Sequence, residues 1–376
     1  WPSFYTFFEK MLYNWIKPLG KNAMEWAAQS PEGSLGSQLL IPTQADTPIR
    51  GVKLALIGAD AKRADPVRRI LYGYSGIFAP HAMADLGNLR RAEESFVIAA
   101  AYELLSSKIV PIFVGLPEAL LSAQFLAYQD AKNLVNMALV APELSPDTPH
   151  WTRLIAPRHP LLFHLALLGY QIHRMTPKTL RQLEEANCDL LRLGRARESI
   201  EEAEPLLRDS DMLAFVMSAL RAGDAPGVNA PAPGGYTIEE ACQLCRYAGF
   251  SDKLSSFGIY GYDPGQDAQD LTAQSAAQMI WYFTDGFFLR KGDYPISTDD
   301  MTEYVVDFRR LQYSLTFWKS NRTGRWWMQA PVNTRKKHAR HRLIPCTYQD
   351  YQAACKEELP ERLALAARRF KRALGL

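Results

Sequence analysis

Between Lys53 and Tyr262 short apolar runs alternate with longer amphipathic runs, and this alternation constrains the fold more than any other feature of the sequence. Short apolar runs suit strands that are buried on both faces of a parallel sheet, and amphipathic runs suit the helices that cover it. Strand candidates lie at residues 53–58, 109–115, 134–140, 163–169, 188–193, 212–218 and 256–262. The pattern predicts a three-layer α/β fold with a doubly wound parallel sheet, in which ligands bind at the carboxyl ends of the strands.

Helices are predicted between these strands from the spacing of apolar residues and from the residues at their ends. They lie at residues 90–107, 176–187 and 196–207. The second begins with Thr176 as its N-cap and Pro177 at the first helical position, a frequent pair at helix starts. Each helix therefore fits a crossover between two parallel strands.

The two ends of the chain differ from this alternating body. The first twenty residues are rich in aromatic side chains that fall on one helical face, and residues 30–50 have the composition of a loop. After about residue 290 the alternation stops. We therefore expect an aromatic N-terminal arm and linker (1–50), an α/β domain (51–290) and a basic C-terminal extension (291–376) that packs on this domain or projects from it.

The C-terminal extension contains the strongest sign of a binding surface outside the α/β domain. Residues 319–342 include eight Lys or Arg and no acidic residue, although the whole chain has 43 basic and 40 acidic residues. Aromatic and arginine side chains can bind a protein or stack on a single-stranded nucleic acid, but they can also pack internally. The candidate partner-binding residues are Trp318, Arg322, Arg325, Trp326, Trp327, Arg335, Lys336, Lys337, Arg340 and Arg342.

Composition excludes several classes of protein. Hydrophobic residues make up 47% of the chain, yet no apolar run reaches the roughly 18 residues that a membrane span needs. Five thinly spread cysteines do not form the framework of a secreted disulfide-rich domain, and no targeting segment is recognisable after Trp1. We expect a cytoplasmic protein.

The segment DAPGVNAPAPGGYTIEEACQLCRYAGF at residues 224–250 resembles the arginase, agmatinase and formimidoylglutamase (ureohydrolase) family, in which such a loop follows a metal-binding strand. The strands ending at Gly115, Val140 and Ser218 have a similar spacing, so that the resemblance covers roughly residues 50–290. Phrases such as TFWKSNRTGRWWMQ resemble a divergent branch of this family found in Bacteroidota. The resemblance implies an arginase-like fold and hydrolysis of a linear amidine or guanidine at two manganese ions.

The metal-binding positions that the resemblance implies carry few groups that could bind a metal. They are Glu118, Leu139, Ala141, Glu143, Val216 and Ser218. Only the two glutamates are carboxylates, whereas hard divalent ions need several carboxylate or imidazole ligands. Arg221 lies in the third motif, where its charge opposes cation binding, and Gly261 stands where the family has an acid that faces the substrate. The sequence therefore predicts that the metal site is lost and that no cofactor is bound.

Other polar residues have a structural and a functional interpretation. His81, Arg221, Asp224 and Asn229 could line the remaining pocket, although we favour a role for the last three in bracing the loop. Cys242 and Cys245 have CxxC spacing inside an amphipathic helix, where helix packing is the better interpretation. His338 and His341 lie among basic residues that repel a metal ion, and we expect them to be solvated.

Three functions follow from these patterns. The leading hypothesis is a metal-free ureohydrolase-fold pseudoenzyme that acts as a binding or scaffold protein, with a protein partner at the aromatic arm and the basic extension. The alternative is a hydrolase of linear amidines, of formimidoylglutamase or arginase type, with Glu118 and Glu143 as its surviving acids. The third is nucleic-acid binding through the basic C-terminal segment.

Overall fold

The computed structural model describes residues 12–43, 47, 49–76, 78–129, 134–144, 161–330 and 340–374. Its largest element is a nine-stranded sheet in the order β1-β3-β2-β4-β9-β8-β5-β6-β7. All pairs in it are parallel except β1 with β3. The strands are β1 (Ile16–Lys17), β2 (Leu54–Gly58), β3 (Met83–Leu89), β4 (Val110–Leu116), β5 (Val135–Val140), β6 (Leu162–Tyr170), β7 (Asp189–Arg192), β8 (Met212–Val216) and β9 (Ser256–Tyr260).

Helices cover both faces of this sheet. Successive strand residues alternate between two apolar clusters, with Leu54 and Leu56 in one and Ala55 and Ile57 in the other. This alternation is the period of two expected of a strand buried on both faces. The α-helices are α1 (Lys21–Ala28), α2 (Leu35–Gln38), α3 (Ala61–Leu71), α4 (Glu94–Ser106), α5 (Leu121–Leu126), α6 (Pro177–Glu185), α7 (Leu193–Glu198), α8 (Ala203–Arg208), α9 (Ile238–Phe250), α10 (Leu271–Phe288), α11 (Tyr348–Cys355) and α12 (Glu361–Leu374). The predicted three-layer α/β fold is confirmed.

The seven predicted strands are present, but β3 was missed because its sequence contains polar residues. Its Asp85 and Asn88 are both buried. The buried guanidinium of Arg68 lies 2.8 Å from the carboxylate of Asp85 and donates to Asn88 Oδ1 at 2.7 Å, while Tyr72 donates to Asp85 at 2.8 Å. A buried hydrogen-bond network thus satisfies the polar side chains of β3, a segment that a search for apolar runs assigns to a loop.

The helix predicted at residues 196–207 is interrupted. The chain leaves helical geometry at Ser199, forms a 3-10 turn at Ile200–Glu202 and resumes as α8. The break places Pro205 in the first turn of α8. Proline is tolerated there, because backbone N–H groups in the first turn have no partner within the helix.

The described part of the N-terminal arm joins the sheet. Ile16 and Lys17 pair with Leu89 and Asn88 in an antiparallel ladder, so the expected helix does not extend to Lys17. Trp15 packs edge-on against Phe96 with ring centroids 5.6 Å apart. Residues 1–11, which carry much of the predicted amphipathic pattern, lie outside the described residues.

The C-terminal extension forms a second, four-stranded antiparallel sheet. Its strands are β10 (Met301–Phe308), β11 (Tyr313–Ser320), β12 (Trp326–Gln329) and β13 (Leu343–Cys346), paired in that order. The apolar cluster of this sheet includes Phe308, Phe317 and Phe370, together with Leu134 and Phe163 from the amino ends of β5 and β6. The extension therefore packs against the amino edge of the large sheet, opposite to the edge where the ligand site was expected.

No helix among the described residues has the length and apolar character needed to cross a bilayer. The five cysteines, all of them among the described residues, form no disulfide bond, and only Cys355 is exposed.

Candidate functional site

The implied metal positions lie at the ends of β4, β5 and β8, and the substrate-facing position Gly261 lies at the end of β9. Sheet order places β4, β9, β8 and β5 side by side. Tyr260 at the end of β9 is in register with Leu116 of β4 and with Val216 of β8, and Val140 of β5 is in register with Phe215 of β8. The fold therefore gathers these segments at one carboxyl edge, which is where ligands bind in parallel α/β sheets.

Apolar side chains fill three of these positions. Leu139, Ala141 and Val216 are each at most 1% exposed and belong to one cluster with Leu116 and Tyr260. These side chains have no atom that could bind a metal ion, and an uncompensated charge among them would be costly. This part of the edge is closed core.

The fourth position, Ser218, lies in the 3-10 turn Met217–Ala219 directly after β8 and is half-buried. Its hydroxyl oxygen is a weaker ligand for a hard divalent ion than the carboxylate that the family places there.

Glu118 and Gly261 share one space at the ends of β4 and β9. Gly261 has φ +79°, and a Cβ atom there would lie 2.9 Å from Oε1 of Glu118. The backbone of Gly261 also donates to Leu116 O at 2.9 Å, which fixes this close approach. Burial, and then the charge of Glu143, raise the pKa of the Glu118 carboxyl, while Arg174 opposes this rise. The carboxylate at 118 and the glycine at 261 are therefore complementary features of one site.

Arg174 is a site residue that sequence reasoning missed. It ends the 3-10 turn Ile172–Arg174 after β6, and its Nη2 donates to Glu143 Oε1 at 2.5 Å. Its side chain is 21% exposed and that of Glu143 is 40% exposed. The residue lies outside the family motifs, and its position just beyond the strand candidate at 163–169 was the one available signal.

These residues do not fit a binuclear manganese centre. Among the residues that the structure describes, no group of three or more His, Cys, Asp or Glu side chains is placed to hold a metal ion. The described acids at the implied positions are Glu118 and Glu143, and the second is already paired with a guanidinium. Two bridged metal ions need more anionic ligands than this arrangement offers.

The loop of residues 224–236 is braced against the same edge. Arg221 Nε donates to Asp224 Oδ2 at 2.7 Å, and this carboxylate also accepts from the backbone N–H of Ile238 at 3.2 Å. Tyr236 is fully buried, and a Cβ at Gly169 would lie 2.3 Å from its ring. These contacts agree with the bracing role considered for Arg221 and Asp224. Asn229 is exposed on this loop.

The assignment of His81 to the pocket is wrong. His81 is exposed and lies two residues before Met83, the first residue of β3. Since β3 runs parallel to β2, its start lies at the amino edge of the sheet, away from Glu118. The sequence pattern assigns the whole PHAMADLG segment to a loop, so it does not place His81 next to the start of a strand.

The other candidate pairs have structural roles in the described chain. Cys242 and Cys245 are buried in α9, and burial raises the pKa of both thiols. His341 is 2% exposed and stacks on Phe163 with ring centroids 4.3 Å apart, so the expectation that it is solvated is wrong. His338 lies outside the described residues.

The tryptophans proposed as partner-binding residues are mostly internal. Trp326 is 7% exposed and stacks on Tyr351 at 4.8 Å, and Trp327 is 1% exposed beneath the guanidinium of Arg208 at 4.2 Å. Their assignment to an interaction surface is therefore wrong, because the antiparallel sheet of the extension buries them. Trp318 is half-buried.

Two of the candidate arginines are also engaged inside the protein. Arg340 forms an ion pair with the buried Asp211, and Arg325 Nε lies 3.3 Å from Glu204 Oε1. These two arginines join the extension to the α/β domain, so their assignment to a partner surface is also corrected. Arg322 and Arg342 are exposed, and the candidates Arg335, Lys336 and Lys337 lie outside the described residues.

Comparison with known proteins agrees with this fold. The arginase family model matches residues 171–285. A formimidoylglutamase from Photorhabdus laumondii is 24% identical over 131 residues, which are 33% of this chain and 41% of that relative. The match thus spans about two fifths of the length of the curated relative.

Solved structures give the same result over a longer part of the chain. Formimidoylglutamase from Bacillus subtilis has a TM-score of 0.55 at 19% identity, covering 64% of this chain and 89% of that one. Formiminoglutamase from Trypanosoma cruzi with Mn2+ has a TM-score of 0.57 at 16% identity, covering 70% of this chain and all of that one (100%). Agmatine ureohydrolase from Thermoplasma volcanium has a TM-score of 0.53 at 15% identity, covering 70% and 97% of the two chains. The family model matches the braced loop and the helices behind it, and the sheet has the fold of these enzymes, so the chain is similar to the arginase family over residues 171–285 and shares the arginase-like fold.

Proposed function

We propose that this protein is a metal-independent member of the ureohydrolase superfamily, a pseudoenzyme that works by binding another protein and needs no cofactor. The observation that carries this proposal is the apolar filling of the strand-end site by Leu139, Ala141 and Val216. A fold can persist after the site it once carried is gone, because the core and the site depend on different residues. A cytoplasmic location remains a prediction.

The basic C-terminal extension is the surface we propose for the partner. After removal of the buried tryptophans and of the arginines that pair with the α/β domain, the candidates are the exposed Arg322, which lies 3.4 Å from Asp300 within the extension, the exposed Arg342, and the basic run Arg335, Lys336 and Lys337. An acidic protein face would complement these charges and accelerate association. Trp326 and Trp327 are both buried, which removes stacking on them as support for the third hypothesis, nucleic-acid binding through the basic C-terminal segment. Nucleic-acid binding by the basic side chains of this segment stays a prediction.

The test combines metal analysis with an activity panel. Purified protein is incubated with excess Mn2+, desalted and analysed for bound metal, then assayed for release of urea, formamide or ammonia from guanidines and linear amidines. We expect no stoichiometric metal and no release above that of a Glu118→Gln/Glu143→Gln variant. Two bound ions per chain, or turnover that this variant loses, would overturn the proposal.

The alternative function, hydrolysis of a linear amidine, is favoured by one observation of its own. Glu118 is a half-buried carboxyl at the carboxyl edge with a raised pKa, a property of groups that act in proton transfer near neutral pH. The names of the matched relatives point the same way. The activity panel separates the two functions, because hydrolysis requires turnover and binding does not.

A further inference from the structure

The remaining strand-end site contains two carboxylates that repel each other. The charge of Glu143 contributes to the raised pKa of Glu118, which places the two groups within electrostatic reach. Like charges in a partly buried site destabilise the folded state unless a cation compensates them. Among the described residues no third His, Cys, Asp or Glu side chain joins these two carboxylates, so the site could hold at most one ion with water as its remaining ligands.

We propose that the guanidinium of Arg174 is a built-in cation that compensates Glu118 and Glu143 and thereby excludes divalent metal ions from the strand-end site. This inference rests on the proposed metal independence: the apolar residues Leu139, Ala141 and Val216 remove the two-metal centre, and Arg174 keeps a single ion from the two carboxylates that remain. The carrying contact is the ion pair between Arg174 Nη2 and Glu143 Oε1 at 2.5 Å.

The backbone holds Arg174 in this position. The N–H of Gln171 donates to Pro142 O at 2.8 Å, and the N–H of Arg174 donates to Gln171 O at 2.9 Å. The turn after β6 is therefore fixed to the segment that carries Glu143. A preorganised guanidinium loses less side-chain freedom on pairing, and its planar fork matches a carboxylate.

A divalent ion has to displace this pairing in order to bind. It would take the carboxylate of Glu143 from Arg174 and leave the guanidinium next to a second positive charge. Nη1 of Arg174 is buried and has no hydrogen-bond partner among the described residues. If a metal ion took the carboxylate of Glu143, no second anion among these residues would replace it as the partner of Arg174. The positive charge of Arg174 would repel a divalent ion bound next to it, and this repulsion is stronger in a partly buried site than in water.

The test is Mn2+ binding to Arg174→Gln, measured by titration calorimetry and by the shift of the melting temperature with Mn2+. Arg181→Gln is the matched control, because Arg181 is an exposed arginine on α6 close in sequence. We expect the wild type and Arg181→Gln to bind no Mn2+ at millimolar concentration. Arg174→Gln should bind one ion with a Kd at least about tenfold below the highest Mn2+ concentration at which the wild type shows no binding, which corresponds to a gain of at least about 1.4 kcal/mol. Adding Glu143→Gln should abolish this binding.

A folded Arg174→Gln protein that binds Mn2+ no better than the wild type would overturn the inference. If that variant does not fold, Arg174→Lys decides, because lysine keeps the charge without the planar fork. We expect Arg174→Lys to melt within a few degrees of the wild type and still to exclude Mn2+. Mn2+ binding by the folded lysine variant, or a failure of this variant to fold, would contradict the role of charge. Two Mn2+ ions on the wild type would instead overturn the proposed function itself.

Discussion

Glu118 and Gly261 come from sequence segments that are far apart, yet a side chain at 261 would occupy the space that the carboxylate of Glu118 fills, with Cβ only 2.9 Å from Oε1. The family expectation treats these positions as two separate losses, a histidine and an acid. In the folded chain the missing side chain at Gly261 leaves the space that the carboxylate of Glu118 occupies.

Gly261→Ala should destabilise the protein by about 2 kcal/mol or more. The left-handed backbone costs an L-residue roughly 1–2 kcal/mol, and the contact with Glu118 adds to it. In a Glu118→Ala background the same change should cost less, with a coupling energy of about 0.5–2 kcal/mol. Urea unfolding of the four proteins in this cycle measures the coupling, and strict additivity would show that the two residues do not compete for space.

Val216→Asp should destabilise the protein by about 4 kcal/mol at neutral pH, which corresponds to a carboxyl pKa raised by about three units on burial. Val216 is 1% exposed within the apolar cluster of the strand ends. The loss should shrink as pH falls, because the protonated acid carries no charge. Val305→Asp is the control, since Val305 is 58% exposed on β10 and should cost less than about 1 kcal/mol. Equal losses at both positions would contradict the assignment of Val216 to a closed core.

Glu118→Gln should become progressively more stable than the wild type as pH rises from 4.5 to neutral. Burial, and then Glu143, raise the pKa of the Glu118 carboxyl above its ordinary value of 4.5. An acid whose pKa is higher in the folded state destabilises that state when it ionises, so the effect is absent below 4.5 and complete above the folded-state pKa. Stability curves of both proteins across this window provide the measurement. A difference that does not change with pH would mean that the carboxyl is as well solvated as in the unfolded chain.

Arg369→Gln should cost about 3–5 kcal/mol, because it removes the guanidinium from the buried carboxylate of Asp189 and leaves only His164 to compensate its charge. Arg369 Nη1 lies 2.8 Å from Asp189 Oδ2, and His164 Nε2 lies 2.6 Å from the same oxygen. Burial alone would raise the pKa of Asp189, but Arg369 and then His164 outweigh it and hold the pKa well below its ordinary range. The stabilisation is therefore present above the unfolded value of 3.8 and is lost as pH falls through the folded-state pKa. Acid unfolding followed by tryptophan fluorescence measures it, with the exposed Arg368→Gln as control.

Trp327→Ala should lower stability by about 3–5 kcal/mol, the usual cost of truncating a buried large aromatic residue. Trp327 lies under the guanidinium of Arg208, which also donates to the backbone oxygens of Trp326 and Cys346 at 3.1 Å. Trp318→Ala, at a half-buried position, should cost clearly less. Thermal melts separate the two, and an unchanged melting temperature for Trp327→Ala would return this indole to the list of accessible binding residues.

The sequence alone determined the architecture and predicted which metal-binding side chains are absent from the implied positions. Apolar runs such as 134–140 predicted strands because burial on both faces of a sheet leaves a signal within a few residues. The loop at 224–250 carried the family resemblance, and the replacement of ligands by Leu139, Ala141 and Val216 could be deduced by counting from the motifs. These are properties of composition and spacing, which need no knowledge of distant contacts.

Tertiary structure alone decided which polar and aromatic residues meet. Strand β3 contains Asp85, which is buried only because Arg68 reaches it from a helix, and Arg174 compensates Glu143 across 31 positions of sequence. Trp327 lies in a segment whose aromatic and basic composition resembles an exposed binding motif, but it is buried when β12 pairs with its neighbours. Such pairings depend on sheet order and on contacts between distant segments, and a charged or aromatic residue has the same local pattern whether the fold leaves it in water or supplies it with a partner.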